Sequence, residues 1–229
     1  MAKKEPVRSE KTEMYLKAIM MVGQENPPAT VTRVAEFLGV SPASVSEMVR
    51  RMEQADLVVA GGSEGITLTP TGAKEARALV RRMRLAECLL SDILGLPLHD
   101  LYDEACRLEH AISPQVEERI AAVLGDPETC PHGYPIPSEK GRVDCPLGET
   151  LLTLKEGDTA TVVTLPERDS ELLEYLTNMG IYPGVEVTLE EVAPFNGPLF
   201  IVVNGVRHAI GQEAAEGIRV RSLKTAEVS

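Results

Sequence analysis

Val31-Thr32-Arg33-Val34-Ala35-Glu36-Phe37-Leu38-Gly39-Val40-Ser41-Pro42-Ala43-Ser44-Val45-Ser46-Glu47-Met48-Val49-Arg50-Arg51-Met52 decides the fold of the first part of this 229-residue chain. Residues 31–38 predict a short helix, and Gly39 suits the left-handed position that closes one. Ser41-Pro42 then opens a second helix, with an N-cap side chain and a proline at the first helical position, where its missing N–H costs nothing. That helix runs to about Ala55, with Val45, Met48, Val49 and Met52 facing inward at helical spacing. Two helices joined by so tight a turn predict a helix-turn-helix.

The flanks complete the motif. Upstream, Met14, Leu16, Ala18, Ile19, Met20 and Val22 predict a helix over 9–23, broken by Pro27-Pro28. Downstream, Leu57-Val58-Val59-Ala60, a Gly61-Gly62 turn and Ile66-Thr67-Leu68 predict a two-stranded wing. The outward positions of the recognition helix are Ser41, Pro42, Ala43, Ser44, Ser46, Glu47, Arg50 and Arg51. Small residues let the backbone approach a groove, and hydroxyls and arginines reach phosphates. This module therefore reads as a binder of double-stranded DNA. A protein-interaction module of three helices is the alternative.

Charge follows the same division. Residues 1–84 hold 13 Lys and Arg against 10 Asp and Glu, a net of +3, whereas the whole chain carries −12. A mildly basic head on an acidic body suits DNA binding by the head and cation binding by the body. Composition that is 43% hydrophobic and 25% charged is that of a globular protein. Aromatics at 3% argue against stacking platforms for single-stranded nucleic acid. No apolar run approaches the roughly 20 residues of a membrane span, and no secretory leader is legible, so a cytoplasmic protein is expected.

From Thr71-Gly72 a long amphipathic helix is predicted to about Leu94, followed by helices over 98–111 and 113–124. Their apolar surface exceeds what so short a segment buries alone, which points to a homodimer interface. Residues 125–150 hold five prolines and four glycines and predict irregular structure. Strands follow at 160–163, 185–189, 199–203 and 206–210, with an Asn204-Gly205 hairpin and a helix near 169–179. A final strand at 217–222 is expected to close a small antiparallel barrel. The whole is an α+β multidomain chain: winged helix-turn-helix at 1–75, an all-α dimerisation domain with an irregular tail at 76–146, and a β-barrel at 151–224.

Two groups of residues carry metal chemistry. Cys106, Glu109 and His110 stand at i, i+3 and i+4 of one helix and so share a face. Thiolate, carboxylate and imidazole together suit a divalent transition metal better than calcium or magnesium. A buried Cys beside a surface Glu-His pair is the other reading. Cys130 and His132 form a Cys-x-His pair that cannot complete a site alone. Glu87 and the carboxylates of Glu167, Asp169 and Glu171 are candidate partners. Cys88 and Cys145 read as core and loop residues. Phosphate-binding loops, dinucleotide fingerprints and nucleophile elbows are missing, so no enzyme is indicated. A metal hydrolase and a metal-independent interaction module are the alternatives from other classes.

Thr12-Glu13-Met14-Tyr15-Leu16, Ser44-Val45-Ser46, Arg51-Met52-Glu53, Arg84-Leu85-Ala86-Glu87 and Glu104-Ala105-Cys106-Arg107-Leu108-Glu109-His110, in this order, strongly resemble the diphtheria toxin repressor family of metal-dependent transcriptional regulators. The resemblance covers 9–137 closely and the β domain more loosely. It implies a primary metal site of Met14, Cys106, Glu109 and His110. Cys106 resembles the iron-sensing branch, while Cys130 and His132, with Glu87 and an acidic residue of the third domain, resemble the ancillary ligands of a manganese-responsive branch. Met83 and Tyr102 stand where the iron branch carries histidines. Fe(II) or Mn(II) is the implied cofactor, a palindromic operator the implied partner, and iron or manganese homeostasis the implied role. The ion would act as co-repressor by tying the DNA-binding domain to the dimerisation domain.

Overall fold

The computed structural model describes residues 9–25, 27–138 and 147–223. The ends of the expected first and third domains, the tail at 139–146 and Cys145 lie outside them. Helices α1 (Glu10–Glu25), α2 (Val31–Leu38) and α3 (Pro42–Gln54) precede the antiparallel wing of β1 (Val58–Ala60) and β2 (Ile66–Leu68). The Ser41 and Gly39 caps follow the sequence signals, and Thr30 adds one that the sequence reading did not name. Thr30 accepts from Arg33 N and Ser41 from Ser44 N, while Gly39, at φ 64°, closes α2. Val45, Met48, Val49 and Met52 are buried, and the same helix turns Ser41, Pro42, Ala43, Ser46, Glu47, Arg50 and Arg51 to solvent.

Next comes α4 (Pro70–Cys88). Every residue of 83–88 is buried, as in a helix covered all round. The expected α-helix to Leu94 instead widens into a π-helical turn at Leu89–Ile93, with Leu94 N bonded to Leu89 O at 3.2 Å. Such turns cluster at functional sites. Residues 98–100 form a 3-10 turn ahead of α5 (Leu101–Glu109), so the helix expected over 98–111 is shorter and His110 is its C-cap. Ser113 caps α6 (Pro114–Val123).

The β domain holds β3 (Glu149–Thr150), β4 (Thr159–Thr164), α7 (Ser170–Asn178), β5 (Glu186–Val192), β6 (Leu199–Val203), β7 (Val206–Ile210), α8 (Gln212–Gly217) and β8 (Arg219–Ser222). The expected closed barrel is not found. The six strands form an open antiparallel sheet in the order β3-β8-β4-β5-β6-β7. β8 is paired with β4 on one side and with the two-residue β3 on the other, so it has no free edge to offer β7. The core lies under the sheet, where Leu173 and Leu176 of α7 meet Val162, Leu189, Ile201 and Val220.

Two compact units result. One holds the described residues through Arg82 with 137–138, and the other holds Met83–Ile136 with 147–223. Thus α5, α6 and the β domain cohere as one body, with Leu98 packed against the β-domain core. Among the described residues no helix is long and apolar enough to cross a membrane.

Candidate metal centres

The loop after α6 is folded tightly on itself. Cys130 N donates to Tyr134 O at 2.9 Å and Gly133 N to Cys130 O at 2.8 Å, while Thr129 and Pro135 form a β-bridge. Gly133 has φ 90°, and a Cβ there would lie 1.9 Å from the carbonyl oxygen of Val163. Only glycine permits so close an approach to β4. Leu165 N donates to His132 O at 3.0 Å and draws the chain beyond β4 onto the loop. Glu167 arrives two residues later, 3% exposed.

Arg84, itself buried, fixes the loop from the helix side. Its Nη1 donates to the Pro135 carbonyl, and its guanidinium lies 5.2 Å from the Tyr134 ring centroid. Glu87 follows one helical turn on, fully buried. Cys88 Sγ is 3.8 Å from Thr129 O, and burial, with Asp92 and Glu87, pushes its thiol up to about 12. Cys88 therefore stays a protonated donor that holds the loop.

Glu87, Cys130, His132 and Glu167 are gathered in this way, with one donor atom of each lying within 4.8 Å of the others. Donors bound at about 2.0–2.3 Å from a common ion stand at most about 4.6 Å apart, so little contraction separates this arrangement from a coordination shell. His132 Nε2 is 3.1 Å from Leu98 O, which can only accept. In the neutral ring the proton therefore sits on Nε2, and the Nδ1 lone pair is left for the cluster, 3.6 Å from Glu87 Oε1. Neither Glu87 oxygen nor His132 Nδ1 has a hydrogen-bond partner among the described residues.

Such burial is costly unless positive charge compensates it, by several kcal/mol or so per ion. The pKa shifts report the same strain. Burial raises the Cys130 thiol well above its usual value, Glu87 and Glu167 add to the rise, and Arg84 opposes it. Burial alone would lower His132, but Glu87, Glu167 and the Leu98 carbonyl outweigh it and raise the imidazole above 6.5. A divalent cation bound here would have to displace the Cys130 proton, and the O, N and S donors fit a transition metal.

The other candidates are placed differently. Asp169 is the N-cap of α7, its Oδ1 accepting from Leu172 N at 2.9 Å, and Glu171 is exposed in the first turn of that helix. Glu109 is buried and His110 exposed, with Oε1 and Nε2 3.7 Å apart. Cys106 is half-buried, with its Sγ 3.9 Å from Met83 Sδ. Among the described residues, only the Glu87 cluster brings three or more carboxylate, thiol or imidazole donors so close. Met14 is half-buried on α1, in the first unit. On α3, Arg51 is ion-paired with Glu47 one turn away, and the Ser41 and Ser44 hydroxyls are 2.9 Å apart. Sequence reasoning missed the Leu98 carbonyl and the role of Gly133, the first because any residue supplies a carbonyl.

A winged helix-turn-helix and a buried cluster of metal-donor side chains on one chain, with the matches that follow, make this a metal-dependent, DNA-binding transcriptional repressor. Residues 8–66 match the family described as iron dependent repressor, N-terminal DNA binding domain, and 69–138 its metal binding and dimerisation domain. Residues 149–222 match the FeoA domain. The diphtheria toxin repressor of Corynebacterium glutamicum is 36% identical over 228 residues, covering 90% of this chain and 97% of that protein. The iron-dependent repressor IdeR of Mycobacterium tuberculosis is 35% identical over 225 residues, with 93% and 97% covered. A solved manganese-dependent transcriptional repressor in complex with manganese superposes with a TM-score of 0.86 at 34% identity, covering 93% of this chain and all of the other. The chain belongs to the iron-dependent repressor family, and it is a regulator and not an enzyme.

Proposed function

We propose that this protein is a cytoplasmic homodimer that represses genes of iron or manganese homeostasis when Fe(II) or Mn(II) is plentiful. The buried Glu87, Cys130, His132 and Glu167 cluster carries the proposal, because four buried donors, two of them carboxylates, converge within 4.8 Å, and a cation compensates such burial. These four residues form the ancillary site, which fastens the β domain to the helices through Glu167. Met14, Cys106, Glu109 and His110 form the primary site, the ligand set that the family resemblance implies. The bound ion supplies positive charge that offsets the carboxylates and thiolates.

The residues do the rest. Cys106 and Cys130 give up their thiol protons to solvent, and His132 keeps its Nε2 proton on Leu98 O. Met14 carries the state of the primary site into the DNA-binding domain. Ile93, Leu94, Val116 and Val123 remain exposed in the second unit and supply the apolar dimer contact. A dimer presents two α3 helices, so the operator is palindromic, with half-sites spaced by whole helical turns.

Metal and operator then favour each other's binding by one factor, about 5–150-fold for a typical coupling. The test uses a DNA fragment selected from a random pool in the presence of Mn(II), titrated anaerobically with Fe(II), Mn(II) and Zn(II). Activation by Fe(II) or Mn(II) at micromolar levels is expected. DNA binding that ignores both the metals and a chelator overturns the proposal.

A further inference from the structure

The two sulfurs of Cys106 on α5 and Met83 on α4 stand 3.9 Å apart. Met83 is fully buried, and Cys106 is half-buried. A core methionine is ordinarily a filler of irregular space with its sulfur against apolar neighbours or ring edges. Here the thioether faces a thiol from another helix. Two sulfurs bound to one ion at about 2.3 Å, with a trigonal or tetrahedral angle between them, stand roughly 3.8–4.0 Å apart. The observed separation already has that value, so neither helix has to move.

Ligand softness names the ion. A thioether is neutral and polarizable and adds little for Mn(II), whose preferred donors are carboxylate, carbonyl and water. Thiolate with thioether selects Cu(I). We propose that Met83 and Cys106 form a two-sulfur site for a soft monovalent cation, Cu(I). On binding, the Cys106 thiol proton leaves to solvent as the Cu–Sγ bond forms, Met83 Sδ donates a lone pair, and no electron is transferred. Cu(I) therefore occupies a side chain that the divalent co-repressor also needs, and it holds the protein in a state that metal-rich conditions cannot activate. This competition rests on the proposed role of Cys106, whereas the two-sulfur site does not.

The full chain carrying Cys130→Ala, which removes the ancillary thiol, is titrated anaerobically with Cu(I) against a chromophoric Cu(I) chelator. One tightly held Cu(I) per chain is expected, with two sulfur scatterers at the ion in X-ray absorption. Adding Met83→Leu keeps the side-chain volume and lowers Cu(I) affinity by about tenfold or more, while Mn(II) uptake, followed by electron paramagnetic resonance, stays at the parent level and reports the intact fold. Cys106→Ser abolishes the Cu(I) site. Parent Cu(I) affinity in either variant, or a single sulfur scatterer in the parent, overturns the proposal. If Cys106→Ser loses Cu(I) yet keeps Mn(II)-activated DNA binding, the two-sulfur site stands and the primary-site role of Cys106 fails.

Discussion

The second compact unit holds two groups of candidate metal donors built in opposite ways. Cys106, Glu109 and His110 come from one helix and its cap, and the helical spacing that puts them on one face brings Glu109 Oε1 and His110 Nε2 to 3.7 Å without gathering all three donors. Glu87, Cys130, His132 and Glu167 come from a helix, a loop and the chain beyond β4, yet their donors lie within 4.8 Å. The second group is held by contacts outside itself: Arg84 on Pro135, Leu98 on His132, and Gly133 against Val163. Shared sequence spacing gives proximity of side-chain roots. Convergence of their tips needs tertiary packing, and a site so packed is also a structural joint.

The largest effect should therefore come from a residue that binds nothing. Gly133→Ala puts a Cβ where the Val163 carbonyl stands and forces a positive φ on an L residue, a cost of about 3 kcal/mol or more. Denaturant unfolding of the metal-free protein should show that loss, and titration should show one metal equivalent fewer. Parent stability with full stoichiometry would mean that the loop is not clamped to β4.

Next in size are the two cysteines, whose loss should separate the groups. Cys106→Ala or His110→Ala should remove the metal response of DNA binding, the whole coupling of about 5–150-fold, and leave the ancillary equivalent in place. Cys130→Ala should take away that equivalent and weaken activated DNA binding only a few-fold, roughly 1 kcal/mol or less. Met14→Ala is the intermediate case, since it lies in the first unit and should still impair activation. Equal phenotypes for Cys106→Ala and Cys130→Ala would erase the distinction.

Legibility in the sequence followed the same line. Gly39 with Ser41-Pro42 announced the turn and α3, and Asn204-Gly205 announced the β6–β7 hairpin, since each is a local conformational demand that few residues satisfy. Cys130, His132 and Glu87 could be nominated by chemistry, but Glu167 could not be chosen over Asp169 and Glu171 without the tertiary fold, because the difference lies in one residue being turned inward and the other two serving α7 or facing solvent. The barrel expectation erred for a long-range reason. A strand's own residues do not say that β3 will occupy the edge β8 was expected to offer to β7.

The buried protons of the cluster give a pH test of intermediate size. His132 is raised above 6.5, so in the metal-free protein its contribution to stability is present below that pH and is lost as pH rises through the folded-state value. Cys130 and Cys88 are raised from 9.0, Cys88 to about 12, so a further loss begins above pH 9. Each group can cost up to about 1.4 kcal/mol per pH unit in its window. Metal bound at the proposed ancillary site would replace the Cys130 proton and hold His132 neutral, so the Tm gain on adding Mn(II) should grow from pH 6.5 upward. A gain that shrinks with pH would show that these groups do not bind the ion.

The smallest effects belong on α3, far from either group in sequence. Arg50 is exposed and, on reaching a phosphate, should contribute sequence-independent grip, so Arg50→Ala should weaken all DNA alike and lower the salt slope by about one unit. Arg51 already has Glu47, but an exposed pair one helical turn apart is worth only about 0.3–0.5 kcal/mol, so phosphate can replace that partner cheaply. Glu47→Ala should accordingly tighten binding slightly, most visibly at low salt, by removing a negative charge from the surface that meets DNA. None of these changes should alter metal affinity measured without DNA, because no α3 side chain is a ligand in either group. Metal affinity measured with DNA present should fall by the factor that metal-loaded DNA binding loses beyond the loss seen without metal, since the coupling is reciprocal. A shift in DNA-free metal affinity for Arg50→Ala would show that sensing and grip share residues.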